Sequence, residues 1–347
     1  MIHTDEVKIM DIALHKIGSK AAEEGVKFSK KAIRVDENIS DILMHYFLGP
    51  FKSNEYYHLS HDTDINMNEI FSYVSNIMKN PTTLYEQSVN IAKHLYQKSS
   101  HPKIKAGELC VAFFKDIVVE GELTDAVGIF KSENKDTFIK IYTKDDDFGI
   151  DSDSGININK LDKGCLIFNT LREQGFLVSV VDSLSKTNEA RYWIDEFLHL
   201  KRREDEYYYT ENVITMCKNF VEDVITEEFQ VTKADQSEIL NSSLHFLKEN
   251  EEFNVEEFEQ EVIRQPDMID SWRSFKDRYE NEKGMEPLES FPISNPAVKK
   301  QAKLLKSVIK LDKNFQIYIT GDSSMMERGV DENNGRKYYK MYYFEEF

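Results

Sequence analysis

The spacing of hydrophobic positions changes along the chain, and each change marks a different kind of structure. Residues 9–17 (IMDIALHKI) and 26–35 (VKFSKKAIRV) hold short β-compatible runs separated by a polar loop. In residues 36–51, Ile39, Ile42, Leu43, Tyr46 and Phe47 recur at three- and four-residue spacing, which predicts a helix. Residues 66–78 and 81–98 read as two further amphipathic helices, the second capped by Thr82 or Thr83, with Glu86 behind Thr83 in capping-box order. From Lys105 the pattern turns to compact apolar runs at 109–114, 126–131, 137–142, 165–169 and 176–181. Their turn-rich links are short, so an antiparallel sheet is expected. Residues 133–136 (ENKD) read as the tip of a hairpin between two of these strands. Residues 190–200 (ARYWIDEFLHL) predict a closing helix that buries Tyr192, Phe197 and Leu200.

Helical periodicity then runs through 210–226, 233–248, 255–264 and 268–282, with acidic outer faces. Asn295-Pro296 is placed as cap and first residue of a last helix. Strands follow at 315–320 and 337–344, and Asn333-Asn334-Gly335 signals a turn. The expected fold class is α+β: a mixed N-terminal region with a mainly antiparallel sheet and flanking helices, then a helical region and a short C-terminal α/β segment. The corresponding domains are 1–205, 206–290 and 291–347, the last packed on those before it.

A chain of 347 residues exceeds what one core usually organises, in keeping with more than one domain. No apolar run approaches the roughly 20 residues that cross a bilayer, so no membrane partner is expected. The polar start (MIHTDE) lacks the apolar segment of a signal peptide. Three dispersed cysteines, Cys110, Cys165 and Cys217, fit a reducing cytoplasm and argue against disulfides or a cysteine zinc site. Net charge is −18, unevenly spread: residues 201–295 carry 11 basic and 24 acidic side chains, whereas 296–347 carry 10 and 7. An acidic chain repels DNA at long range, so nucleic-acid binding would need a local basic surface.

Phosphate loops, dinucleotide fingerprints, nucleophile elbows and HExxH motifs are missing, and no cofactor or catalytic activity is expected. His58 and His61, with Asp62 and Asp64, resemble a metal cluster, but the run reads better as a polar loop. His15 is expected to be a structural histidine. Asp151-Ser-Asp153-Ser-Gly155 begins like a calcium loop and lacks its terminal glutamate. Cys165 enters a buried strand with no histidine beside it, which makes its thiol inert. Glu133-Asn134-Lys135 with the earlier Asp125 has the composition of a nuclease metal site, although Asn134 and Asp136 favour a turn.

The most promising basic surface is at the last helix. On a continuous helix from Pro296, Lys299, Lys303, Lys306 and Lys310 would share one face, with Lys300 adjacent and Val298, Ala302 and Leu305 facing the core. Lys160 and Lys163 form a weaker pair of the same kind, and Lys131 and Lys140 flank the expected hairpin tip. Such lysines could hold phosphates without reading bases, or could be no more than a solvated face. Tyrosines 207–209, 338–339 and 342–343 could stack on single-stranded bases but read more simply as packing residues.

Several segments, in order, carry a resemblance: 105–115 (KAGELCVAFFK), 125–133 (DAVGIFKSE), 155–168 (GININKLDKGCLIF) and 189–193 (EARYW), with 12–15 (IALH) and 289–292 (ESFP). Together they resemble the NdpA family of bacterial nucleoid-associated proteins over almost the whole chain. The resemblance implies a cytoplasmic protein of the nucleoid that binds double-stranded DNA, with a DNA topoisomerase as a further partner; it supplies no catalytic motif. A homodimer is included among the expected assemblies. Three functions follow: a non-enzymatic DNA-binding protein acting through local lysines, an adaptor whose acidic helices engage a topoisomerase or similar nucleoid enzyme, and a metal-dependent nuclease using Asp125, Glu133 and Lys135.

Overall fold

The structure, a computed structural model, describes all residues except 1, 5, 103, 145–146, 184–191, 306–307, 319–324, 333 and 346–347. It divides into two compact units, Met1–Arg203 and Glu204–Phe347.

The first unit runs β1 (Ile2–His3), β2 (Lys8–Ile17), β3 (Val26–Phe28), α1 (Glu37–Leu48), β4 (Tyr57–Leu59), α2 (Glu69–Lys79), α3 (Leu84–Lys98), β5 (Gly107–Val119), β6 (Glu122–Ser132), β7 (Asp136–Lys144), β8 (Asp147–Gly155), β9 (Lys163–Phe168), β10 (Leu177–Asp182) and β11 (Leu200–Arg202). Nine of these strands form an antiparallel sheet in the order β11-β4-β10-β9-β6-β5-β2-β3, with β1 also on β5. Strands β5, β6 and β9 alternate between two cores. Leu109, Val111, Phe113, Val127, Ile129, Cys165 and Ile167 pack under α2 and α3. Cys110, Ala112, Phe114, Ala126, Phe130, Leu166 and Phe168 pack with Tyr46, Phe47 and Leu48 of α1. Burial on both faces is why these strands read as unbroken apolar runs. Asp36 caps α1 by accepting Ile39 N–H at 3.1 Å, and Asn68 caps α2 by accepting Phe71 N–H at 2.9 Å.

The expected hairpin across residues 133–136 does not form. β6 pairs with β5 and β9, whereas β7 pairs with β8 alone, in register from Asp136↔Gly155 to Lys144↔Asp147. Residues 133–135 are therefore the point where the chain leaves the main sheet for a separate two-stranded ribbon. The expected closing helix ends earlier than predicted: Trp193–Leu198 makes one wide helical turn, His199 takes a left-handed conformation, and Leu200 begins β11, while residues 190–191 of the expected helix lie outside the described residues. Tyr192 and Phe197 are buried as expected, Leu200 is only half-buried, and Trp193 is buried as well.

The second unit contains α4 (Glu206–Asn219), α5 (Ile225–Glu228), α6 (Lys233–Glu249), β12 (Glu252–Asn254), α7 (Val255–Phe258), α8 (Pro266–Lys283), β13 (Ser290–Pro292), α9 (Asn295–Gln301), β14 (Val308–Leu311), β15 (Phe315–Tyr318), β16 (Met326–Val330) and β17 (Lys337–Met341). Its core is aromatic. Phe253 stacks on Phe291 at 5.0 Å across the β12–β13 pair, and Phe258 and Phe220 lie 5.4 and 5.2 Å from Trp272. Phe291, Ile293, Val298 and Leu305 join this core. A reciprocal capping box between Thr232 and Asp235 starts α6. Between β16 and β17, Gly335 takes a left-handed conformation and its N–H donates to Asp331 O at 2.8 Å; Asn333 of the expected turn lies outside the described residues.

Candidate nucleic-acid interface

The continuous lysine helix does not exist. α9 ends at Gln301, and residues 308–311 pair as β14 with β15, because the run Val308-Ile309 suits a strand better than a helix. Lys299 and Lys300 therefore sit in the last turn of a short helix, where cations also complement the helix dipole. Lys300 lies over the Tyr207 ring at 5.5 Å, and Lys303 follows in a turn. All three are exposed. Lys310 belongs to strand β14, and Lys306 lies outside the described residues.

Two of the other proposed lysines are buried. Lys131 follows Val127 and Ile129 in alternation and so points into the α2/α3 side of the sheet, with 0% of its side chain exposed. Its ammonium donates to Glu133 Oε1 at 2.8 Å, Lys105 O at 2.8 Å and Tyr192 Oη at 3.2 Å. Burial draws its pKa below the ordinary lysine value, with the Glu133 carboxylate pulling the other way. Lys163 is buried against Asp182 at 2.7 Å and flanks the same Tyr192 ring at 5.1 Å. Burial also raises the Tyr192 phenol, and the Glu133 charge adds to it. Lys131 and Lys163 thus serve the interior rather than a DNA-facing surface. Lys140 and Lys160 are exposed, and Lys140 is paired with Asp153 at 2.5 Å.

The Glu133–Lys135 stretch is fixed by this interior cluster. Asp162, 2% exposed, accepts Glu133 N–H at 2.7 Å and Asn134 N–H at 2.9 Å through Oδ2, and the Asn134 amide at 2.8 Å through Oδ1. Lys135 turns outward to Glu108 at 2.6 Å. Asp125 lies at the far end of β6, roughly 25 Å from Glu133 at the rise of an extended strand. The three residues of the nuclease reading do not converge on one metal. His58 is in strand β4, with Nδ1 2.7 Å from Phe176 O, and His61 faces Thr63 in an exposed loop.

A different basic surface emerges at the β3 edge of the main sheet. Lys16 and Lys27 are direct cross-strand partners, and Glu108 of β5 stands opposite Lys16 on its other side, so two cations and one carboxylate share this face. After β3 the chain returns to β2, where Ile33 N–H donates to Ile12 O at 2.7 Å and Ile12 N–H to Ile33 O at 3.0 Å. That return carries Lys30, Lys31 and Arg34 along the same edge. All five cations are exposed, and none forms an ion pair among the described residues. Lys93 of α3 is also exposed, 5.9 Å over the Phe28 ring, but it lies on the opposite face of the β2–β3 pair from Lys16 and Lys27. Several acids nearby are engaged elsewhere: Asp36 caps α1, Glu24 accepts Ser19 N–H at 2.7 Å, and Glu108 holds Lys135. Between Gly25 and Val35 there are four basic residues and no acidic one. This charge signal is present in the sequence, beneath a β pattern that dominates the segment.

Residues 13–337 match the sequence profile of the nucleoid-associated protein YejK family. The chain belongs to that family. The match takes in both compact units, from β2 to β17, so family membership describes the whole architecture and not one module of it. No curated protein matches the chain significantly. Among the described residues no helix is long and apolar enough to cross a membrane.

Proposed function

We propose that this YejK-family chain binds double-stranded DNA with little sequence selectivity, and that the β2–β3 edge is its principal phosphate-contacting surface. The observation that carries this reading is the group Lys16, Lys27, Lys30, Lys31 and Arg34: exposed cations that form no ion pair among the described residues, in a chain of net charge −18. Glu108 opposite Lys16 offsets only part of this charge, because it also holds Lys135, and a phosphate backbone would relieve the remaining repulsion and release its own counterions. Lys299, Lys300, Lys303 and Lys160 form smaller auxiliary contacts in the same reading.

The test is a salt titration of binding to a mixed-sequence duplex, followed by fluorescence anisotropy. Replacing Lys27, Lys30 and Lys31 together with glutamine should weaken binding and lower the slope of log affinity against log salt by about 0.9 for each phosphate no longer neutralised. Unchanged affinity and slope would overturn the assignment of this edge. Weakened binding on Lys299→Gln and Lys303→Gln instead would move the surface to the second unit.

A second reading is favoured by the acidic stretch of residues 201–295, with 24 acidic against 11 basic side chains. Here the second unit is an adaptor for a basic nucleoid enzyme such as a DNA topoisomerase. Purified topoisomerase would then bind the chain without DNA, and binding would weaken with salt. No association at low salt would sink it.

A further inference from the structure

We infer that one face of the β7–β8 ribbon is the contact through which two copies of this chain associate. Cross-strand partners in an antiparallel ribbon share a face, and successive residues alternate between faces. The register puts Thr137, Ile139, Ile141 and Thr143 with Ser154, Ser152, Ile150 and Phe148 on one side. That side carries no charge at all. Its large apolar side chains are open to water: Ile139 71%, Ile141 69%, Phe148 76% and Ile150 75% exposed.

The opposite face is organised within the chain. Lys140 pairs with Asp153 and lies 5.5 Å over the Phe138 ring. Tyr142 lies across Gly149, where a Cβ would meet its ring at 2.6 Å, and Phe138 approaches Gly155 in the same way, at 3.1 Å. Aromatic rings over cross-strand glycines are a known device for stabilising a ribbon. The uncharged face has nothing comparable, and an isolated two-stranded ribbon is marginal in water without a covered apolar face. Something covers it.

Charge and area select a second copy as the occupant. DNA offers nothing to a face without a donor cation. Two chains of charge −18 repel each other at long range, so self-association requires a patch where no charge meets its own likeness. A two-fold contact places the same patch on both partners, and this one is self-complementary in being wholly neutral. Covering its eight side chains removes on the order of 500 Å² from water on each copy, which makes the face the apolar centre of a specific interface of the usual size, about 800 Å² a side. Ser152, Ser154 and the two threonines would form its polar margin. The inference does not depend on the DNA reading.

Sedimentation of the full chain over a concentration series tests it. The wild-type protein should be a dimer, and Ile141→Glu should raise its dissociation constant at least tenfold with unchanged circular dichroism. Ile141→Thr combined with Ile150→Thr keeps strand propensity and should weaken the dimer too, which separates a weakened interface from a disrupted ribbon. Lys140→Ser, on the opposite face, should leave the dimer intact. All three natural cysteines are buried, so a Thr143→Cys variant has one accessible thiol per chain among the described residues. A short bismaleimide should join the two copies through it. A wild-type monomer at every concentration overturns the inference, including one that binds neutral lipid vesicles through this face. So does a dimer that both isoleucine variants leave unaffected.

Discussion

Replacing Glu133 with glutamine isolates the charge that holds the interior of the first unit together. In the native chain Lys131 is completely buried and Glu133 is 4% exposed, so their 2.8 Å ion pair has almost no solvent to screen it. The variant keeps an amide oxygen for Tyr192 and the Lys131 ammonium but removes the compensating charge. Stranding one partner of a buried pair costs about 3 kcal/mol or somewhat more. For a unit of this size that corresponds to a fall of about 9 °C in melting temperature. Each unit contains one tryptophan, Trp193 in the first and Trp272 in the second, which makes the assay selective. With Trp272→Phe as background, urea unfolding followed by fluorescence reports the first unit alone. Glu108→Gln is the comparison: it breaks the surface pair to Lys135, which is about a third to a half exposed, and should cost under about 1 kcal/mol. Lys131→Met together with Glu133→Leu should recover much of the stability, because neither charge then remains buried. If Glu133→Gln costs no more than Glu108→Gln, the account of this cluster is wrong.

Two further outcomes are expected. His15 is buried with Nε2 2.8 Å from Ser88 Oγ, whose own hydroxyl donates to Tyr85 O, while Nδ1 accepts Ser29 N–H at 3.4 Å; burial lowers its pKa to about 4, so below pH 6.5 the unfolded chain binds a proton that the folded chain refuses. Stability should therefore be complete above about pH 6.5 and fall by about 3 kcal/mol towards pH 4, and urea midpoints of His15→Gln should lose that part of the slope if the histidine is its source. In the second unit, Thr232→Ala removes half of the α6 capping box and should cost about 1 kcal/mol in unfolding followed at Trp272, with no change at Trp193.

Strands β5, β6 and β9 are legible in the sequence because burial on both faces makes their apolar runs continuous. Strand β7 has the same local pattern, TFIKIY, yet stands outside the sheet, since periodicity says which residues share a face and not what that face meets. The burial of Lys131 is hidden for a related reason. Its alternation with Val127 and Ile129 points inward, but its remote partner Tyr192 and the Asp162 clamp on the neighbouring turn come from segments far along the chain. The C-terminal lysine stripe depends on extending a helix past Val308-Ile309, where β-branched residues favour a strand. The basic β2–β3 edge needs only a local charge count, while its lack of ion pairs among the described residues is a property of the fold.

The facing of Lys16 and Lys27 gives salt two opposed actions on this chain. In the free protein, dissolved ions screen their repulsion and draw the β2–β3 pair tighter, while weakening the attraction of Lys16 to Glu108 on its other side. At a phosphate backbone, the same ions compete for the edge and loosen its grip. Firmness of the strand pair and tenacity toward a polyanion therefore move in contrary directions along one ionic-strength axis, and the condition that best preserves the edge is the one that lets its ligand go.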